Sequence, residues 1–345
     1  MEAKFKILSI DGGGIKGIIP CKILEFIEEH CQPRSISNLF DLIAGTSTGG
    51  IIGLGLSSKD PETQMNYTAS KMLKLYQNEG AKIFNQREAK PKLDYIGLRQ
   101  KPYFSADIEE ILERYFGTTA LDEVHPHNLL ITTFDIEQNK PFFFSSRLAK
   151  KDSSNENFYI KDIAQATSAA PTFFKPIIIE WVDKTKGQLA FIDGGVFANN
   201  PSIYAYGEAK ELWKNRASKG FMPATTKDDN DLPFYMLSIG TGLQKKKIDG
   251  DAAQDFRTMN WLEPLLEDIF MDGVAKGNNY AMEHLLPPYE DETPRYQRIN
   301  VDIPEGHKIK MDDASPQNIE LLCKIADDYI EKNQSVLLEI CQLLK

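Results

Sequence analysis

LIAGTSTGG, residues 42–50, is an apolar run that ends abruptly in small residues around one serine. A strand that stops at Ser47, fenced by Gly45 and Gly49, reads as a sharp strand-to-helix turn. A strained central residue needs small neighbours where strand and helix nearly touch. Thr46 and Thr48 complete this elbow. The Ser47 hydroxyl then stands clear of the sheet at a helix N-terminus, whose dipole favours developing negative charge. That is the placement of a nucleophile. The plainer reading is a small-residue turn with a surface serine, and GxSxG alone matches many unrelated chains, so the surrounding sequence has to decide.

Upstream, KFKILSI (4–10) places apolar side chains at 5, 7, 8 and 10 and stops at a glycine cluster, as a core strand would. From Ile18 to His30, Ile19, Ile23, Phe26 and Ile27 recur at helical spacing, with Glu25, Glu28 and Glu29 on the other face. A second strand over about 39–44 and a second helix beginning at the serine give βαβα order, the pattern of an α/β sheet covered by helices. Further on, 61–77 and 105–116 read as helices, the latter capped by Ser105. Segments 129–135 and 141–145 read as a strand pair around EQNK, and IIIEWV (177–182) and LAFID (189–193) as strands around a polar hairpin. NNPSIYAYGEAKELW opens a helix with Asn200 as cap and Pro201 in its first turn, and FYMLSIGTG (234–242) is another strand. Segment 218–232 reads as a surface loop. From Ser315 onward one amphipathic helix carries Ile319, Leu322, Ile325, Tyr329, Val336, Leu337 and Ile340. The expected organisation is a catalytic domain over 1–310 with a C-terminal amphipathic helix, 311–345, packed on it.

Forty basic against fifty acidic side chains give a net charge of -10, which repels nucleic-acid phosphates, so no duplex partner is expected. The one basic run, Lys245 to Lys247, is explained by a solvated loop. Apolar runs fall far short of the ~20 residues a spanning helix needs, and the first residues lack the apolar stretch of a signal peptide. A cytoplasmic location is expected, with peripheral contact to a membrane through apolar residues at a site mouth, in 80–104 or 261–274. A buried amphipathic helix explains the second segment equally well. Cys21, Cys31, Cys323 and Cys341 have neither CxxC nor metal-ligand spacing.

Two further motifs carry chemistry. Asp11-Gly12-Gly13-Gly14-Ile15-Lys16-Gly17 follows the first strand, and Gly12, Gly14 and Gly17 satisfy GxGxxG, so a dinucleotide-binding oxidoreductase is one reading. That reading wants an acidic residue at the end of the second strand, where Gly45 and Thr46 stand. The other reading is an oxyanion hole, in which glycines without Cβ let several N–H groups converge on one oxygen. Lys16 either reinforces it or pairs with a carboxylate. The third motif is Asp193-Gly194-Gly195 after an apolar strand. Structurally it is most often a turn, but Asp193 at a strand end is placed to take a proton from a serine. His284 and His307 follow Asp193 in the order of a Ser-Asp-His triad, yet neither sits at a glycine turn or strand end, which favours a Ser-Asp dyad.

In this order and spacing the motifs resemble those of the patatin family of lipid acyl hydrolases. ILSIDGGGIKGIIPCKILEFIE, FDLIAGTSTGG, ATSAAPTFFKP (166–176) and DGGVFANNP (193–201) are similar to its signature blocks, and the resemblance weakens beyond about residue 215. It implies a three-layer α/β/α sandwich with a central, mainly parallel sheet, related to cytosolic phospholipase A2. It implies hydrolysis of acyl esters in membrane or micellar lipid at an interface, with no metal and no cofactor. Ser47 matches the nucleophile, Asp193 the base, and Gly12 to Gly14 the oxyanion loop, with Lys16 at its basic position and Gly17 closing the motif. Bacterial relatives of similar length include anti-phage effectors switched on by cyclic oligonucleotides, so a bacterial branch and a small-molecule activator are further expectations. No phosphate-binding motif stands out in 215–345.

Overall fold

The computed structural model describes residues 5–84, 105–124, 128–151, 156–218, 232–244, 250–255, 269, 271–307 and 309–345. Outside them lie most of the 80–104 and 261–274 segments expected at a site mouth, nearly all of the 218–232 loop, Lys245 to Lys247, His125 and His127.

The strand periodicities resolve into an eight-stranded, mostly parallel sheet between two helical layers. Its strands are β1 (Phe5–Ile10), β2 (Leu42–Thr46), β3 (Asn128–Asp135), β4 (Lys140–Ser145), β5 (Ile177–Glu180), β6 (Gln188–Asp193), β7 (Phe234–Ile239) and β8 (Tyr296–Ile299). The order is β5-β6-β3-β2-β1-β7-β8, with β4 pairing β3 off this path. β1 is sandwiched between parallel neighbours β2 and β7, and alternation divides its side chains between the two faces. Leu8 and Ile10 join one buried cluster, Phe5 and Ile7 the other.

The first cluster is covered by α1 (Ile18–His30), α2 (Thr48–Leu56), α3 (Ala69–Ile83), α4 (Ser105–Phe116) and α5 (Ile160–Ser168). The second is covered by α6 (Ser202–Ser218) and α7 (Val274–Leu285), through Ala205, Ala209, Trp213 and Met282. Asn200 accepts from the Ser202 amide (3.0 Å) at the start of α6, as its capping role requires.

Two local expectations are corrected and one strand is added. The helix expected over 61–77 begins only at Ala69, capped by Thr68, because Asp60 Oδ1 draws the Glu62 amide (2.9 Å) into a turn that occupies the preceding residues. The single C-terminal helix is two, α8 (Pro316–Lys332) and α9 (Gln334–Leu344), broken at Asn333 where the backbone leaves helical geometry (φ -116°, ψ 21°). The bend lets Leu322 and Ile325 of one, and Leu337 and Ile340 of the other, enter the same core, where a straight rod would carry the second away. β8 is an addition: Tyr-Gln-Arg-Ile has one fully buried side chain, too weak a pattern to read as a strand, yet it extends the sheet parallel to β7.

One feature of the sheet positions the rest. β4 runs along one edge of β3 from Leu130 to Asp135, so β2 and β6 must share the other edge. β2 holds it as far as Thr132, which pairs with Thr46, and β6 takes over antiparallel from Thr133, which pairs with Asp193. The C-terminal ends of β2 and β6 therefore meet head-on.

Candidate active site

Ser47 directly follows the last residue of β2 and precedes the first of α2. Its backbone is at φ 54°, ψ -122°, a region L-residues avoid, and the surroundings hold it there. The Ser47 N–H donates to Thr167 Oγ1 (2.8 Å), which donates to Thr132 O (2.7 Å), tying the elbow to α5 and β3. Thr46 Oγ1 bonds Thr132 Oγ1 (2.7 Å) and Ala198 O (2.6 Å). Thr48 hydrogen-bonds Tyr76 of α3. The small neighbours are needed as expected: a Cβ on Gly49 would strike Ile10 O, and one on Gly45 would strike Gly49 O.

Across the junction, Asp193 is 2% exposed. Its Oδ1 accepts from the Gly195 amide (2.7 Å), so Gly195 orients the carboxyl, while Gly194 packs against Thr132 too closely for any side chain. Burial raises the Asp193 pKa from 3.8 to about 7, opposed by the neighbouring Ser47 hydroxyl and by the Gly195 N–H. The Ser47 hydroxyl is thus near enough to act on the carboxyl, yet Oδ2 has no hydrogen bond of full geometry among the described residues. Pairs of nucleophile and base are often this loose before substrate binds. A carboxyl that titrates near neutrality beside a hydroxyl is suited to proton transfer.

The glycine turn closes the third side. The Gly12 amide donates to Asn199 O (3.0 Å), Ile15 to Met311 O (2.8 Å) and Lys16 to Gly13 O (3.2 Å). The amides of Gly13 and Gly14 have no acceptor among the described residues. Gly14, at φ 59°, borders the same cavity as Ser47 and Asp193, and a Cβ there would strike Met311 O. Gly17 packs against Thr48 and Tyr76, and Lys16 borders a neighbouring polar pocket together with Gly12 and Gly13. Of residues 12–17, only Gly14 is among those lining the Ser47 cavity.

That cavity has, with its open mouth, about 550 Å³ of empty space and is walled by apolar side chains, among them Ile51, Ile83, Phe84, Phe173, Phe174 and Met271. Its apolar wall suits an acyl chain in kind. Ile83, Phe84 and Met271 belong to the two segments expected at the site mouth. Among the described residues no histidine lines it: His284 bonds back to Tyr280 O (2.8 Å) on the exposed side of α7, and His307 is exposed. Among the described residues no group of three or more His, Cys, Asp or Glu is placed to hold a metal, and no helix is long and apolar enough to cross a membrane.

Sequence reasoning missed the supports. Thr132 and Thr167 carry the elbow's hydrogen bonds but stand in ordinary strand and helix contexts; their signal was a hydroxyl in an otherwise apolar run. Asp11, ahead of the glycines, is buried in a two-pronged ion pair with Arg298 of β8, whose Nη1 lies 2.8 Å from Asp11 Oδ1. Burial raises the Asp11 pKa, and Arg298 opposes that.

A family model described as patatin-like phospholipase matches residues 8–206. Patatin-like protein 2 of Arabidopsis thaliana is 32% identical over 345 residues, covering 94% of this chain and 83% of that protein. Patatin-like protein 1 of the same plant is 33% identical over 343 residues (94% and 81%), and Patatin-16 of Solanum tuberosum 28% over 345 (96% and 85%). The alignments with these relatives extend past residue 215, whereas the family model ends at residue 206. Among solved structures, VipD from Legionella pneumophila aligns with a TM-score of 0.41 at 12% identity, covering 95% of this chain and 67% of that one.

Proposed function

We propose that this chain, which belongs to the patatin-like phospholipase family, is a serine lipid acyl hydrolase of phospholipase A type working through a Ser47-Asp193 dyad. The observation that carries the reading is the head-on meeting of β2 and β6, which faces a strained serine with a buried aspartate beside two glycine amides that have no acceptor among the described residues. Asp193 accepts the Ser47 proton as Oγ attacks the ester carbonyl. The Gly13 and Gly14 N–H groups hold the oxyanion, each contributing on the order of 3 kcal/mol to the transition state. Asp193 returns the proton to the departing alcohol, leaving acyl-Ser47, and water repeats the steps to release the fatty acid. The apolar cavity takes the acyl chain.

The reading extends to a cytoplasmic enzyme that meets its substrate at a membrane or micelle surface. Placement in a bacterial branch with a cyclic-oligonucleotide activator rests on chain length alone. The test is lipid hydrolysis followed by mass spectrometry on phospholipid and galactolipid vesicles, with and without cyclic oligonucleotides, together with fluorophosphonate labelling. Release of fatty acid and a label on Ser47, both absent in Ser47→Ala, are expected. A wild-type protein that takes no label and frees no fatty acid under any condition refutes the reading.

A further inference from the structure

Asn199 lies in the signature stretch DGGVFANNP, and its side chain has no part in the dyad or the oxyanion loop as described above. Its backbone oxygen holds the Gly12 amide, and its side chain is 5% exposed. The side-chain Oδ1 has no hydrogen-bond partner among the described residues. Its position is well defined by the glycines around it. It crowds the Cβ position of Gly12, which Ser47 Cβ approaches to 3.2 Å, and it lies 3.5 Å from the Cβ position of Gly195, which Asp193 Oδ1 approaches to 3.1 Å. The carboxamide oxygen thus stands between the oxyanion loop and the turn after Asp193, with the nucleophile on one side and the base on the other.

Asp193 has the same peculiarity. Oδ1 is satisfied by Gly195, and Oδ2, a buried acceptor beside the Ser47 hydroxyl, makes no hydrogen bond of full geometry among the described residues. Leaving one such acceptor unpaired costs about 1–3 kcal/mol, and two beside one serine call for a species able to donate to both. Water has two hydrogens and fits that need. Access is also provided for. Asn199 borders a polar pocket with Thr241, Gln244 and Asp272, whose lining differs from that of the apolar cavity except at Met271 and Met311. An acyl chain filling the cavity would block approach through it and leave the polar pocket open.

We infer that Asn199 positions the hydrolytic water of the second half-reaction, holding one hydrogen on Oδ1 while Asp193 Oδ2 holds the other, and that the water enters through the polar pocket. The inference rests on the acyl-enzyme reading above. In the step itself the water oxygen bonds to the acyl carbon and its proton passes to Asp193. The tetrahedral intermediate then expels Ser47 Oγ, which takes the proton back from Asp193, and the fatty acid leaves. Asn199 gains and loses no atom; it fixes the direction of attack.

Because Asn199 serves only deacylation, its side chain separates the two halves of the cycle. With a p-nitrophenyl ester, whose acylation is fast, Asn199→Ala should lower kcat about tenfold or more. KM should fall by the same factor, leaving kcat/KM unchanged. A burst of p-nitrophenolate and the added mass of an acyl group on the intact protein should accompany the change. The fluorophosphonate labelling rate, which needs only the first half-reaction, should match wild type. Asn199→Leu fills the same space without an acceptor and should behave like the alanine variant. A drop in kcat/KM with no acyl-enzyme, an unchanged kcat, or wild-type behaviour of Asn199→Leu would show that the side chain merely packs and would overturn the inference. Failure of wild-type Ser47 to label would instead strike the acyl hydrolase reading itself.

Discussion

Replacing the base should strengthen the protein. Asp193 titrates at about 7 instead of 3.8 because its burial penalises the charged form. The native state therefore keeps a proton that the unfolded chain releases, and the sign follows by linkage. Stability is full below pH 3.8, falls as pH rises through the window up to about 7, and stays reduced above it. A shift of about three units corresponds to roughly 4 kcal/mol at pH 8. Asn at 193 is nearly the same shape, never ionises, keeps an acceptor for the Gly195 amide and can donate to Ser47. Asp193→Asn should thus be inactive yet more stable at pH 8, with Tm raised by roughly 5 °C from the per-residue entropy of unfolding for a chain of this length. At pH 4, where the wild-type carboxyl is protonated, the two melting curves should converge. Scanning calorimetry of both proteins from pH 4 to 8.5 decides it. A Tm difference that ignores pH, or a variant that melts lower at pH 8, would refute the claim that this carboxylate is held against its own solvation.

The remaining expectations are more local. The acid limb of kcat/KM should rise with an apparent pKa of about 7, because only the ionised Asp193 can accept the Ser47 proton; a limb near 4 in a pH-rate profile contradicts this. Esterase assays should show activity abolished in Ser47→Ala and retained in His284→Ala and His307→Ala, since neither histidine borders the cavity. Gly14→Ala should lower kcat about 10²–10³-fold, because φ 59° and Met311 O oppose a Cβ at a proposed oxyanion donor; an unchanged kcat in steady-state assays would remove Gly14 from the reaction. Arg298→Leu leaves Asp11 buried without its cation and should destabilise by about 3–5 kcal/mol, read from the urea midpoint.

What could be read from the sequence was whatever is local in the chain. The elbow was legible because a strained Ser47 demands glycine on both sides within two residues, and the oxyanion loop because bare amides demand bare Cα atoms. Asp193 was legible only in company, as one strand-ending aspartate followed by glycines. The supports were not legible, since the Thr132 to Thr167 hydrogen bond spans 35 positions and the Asp11 to Arg298 pair 287, and nothing near either residue marks its partner. The C-terminal break at Asn333 was hidden by an amphipathic pattern that continues almost in phase across one non-helical residue.

The catalytic proposal ultimately depends on an arithmetic of edges. A strand offers two edges, and β3 has three partners, so two of them must share one side. β4 takes one edge from Leu130 to Asp135, which forces β2 and β6 to abut on the other at the step between Thr132 and Thr133. Side chains alternate with a period of two, so a one-residue slip of β6 would turn Asp193 to the opposite face and carry it away from Ser47. That register is fixed by side chains as well as by the ladder. Thr133 Oγ1 bonds Ile192 O (2.7 Å), and the Asp193 amide is taken by Ala169 O (3.0 Å) from the far end of α5. The threonines around the junction therefore serve the site in the same sense as the glycines: the latter let the chain come close, and the former hold the approach to a single alignment.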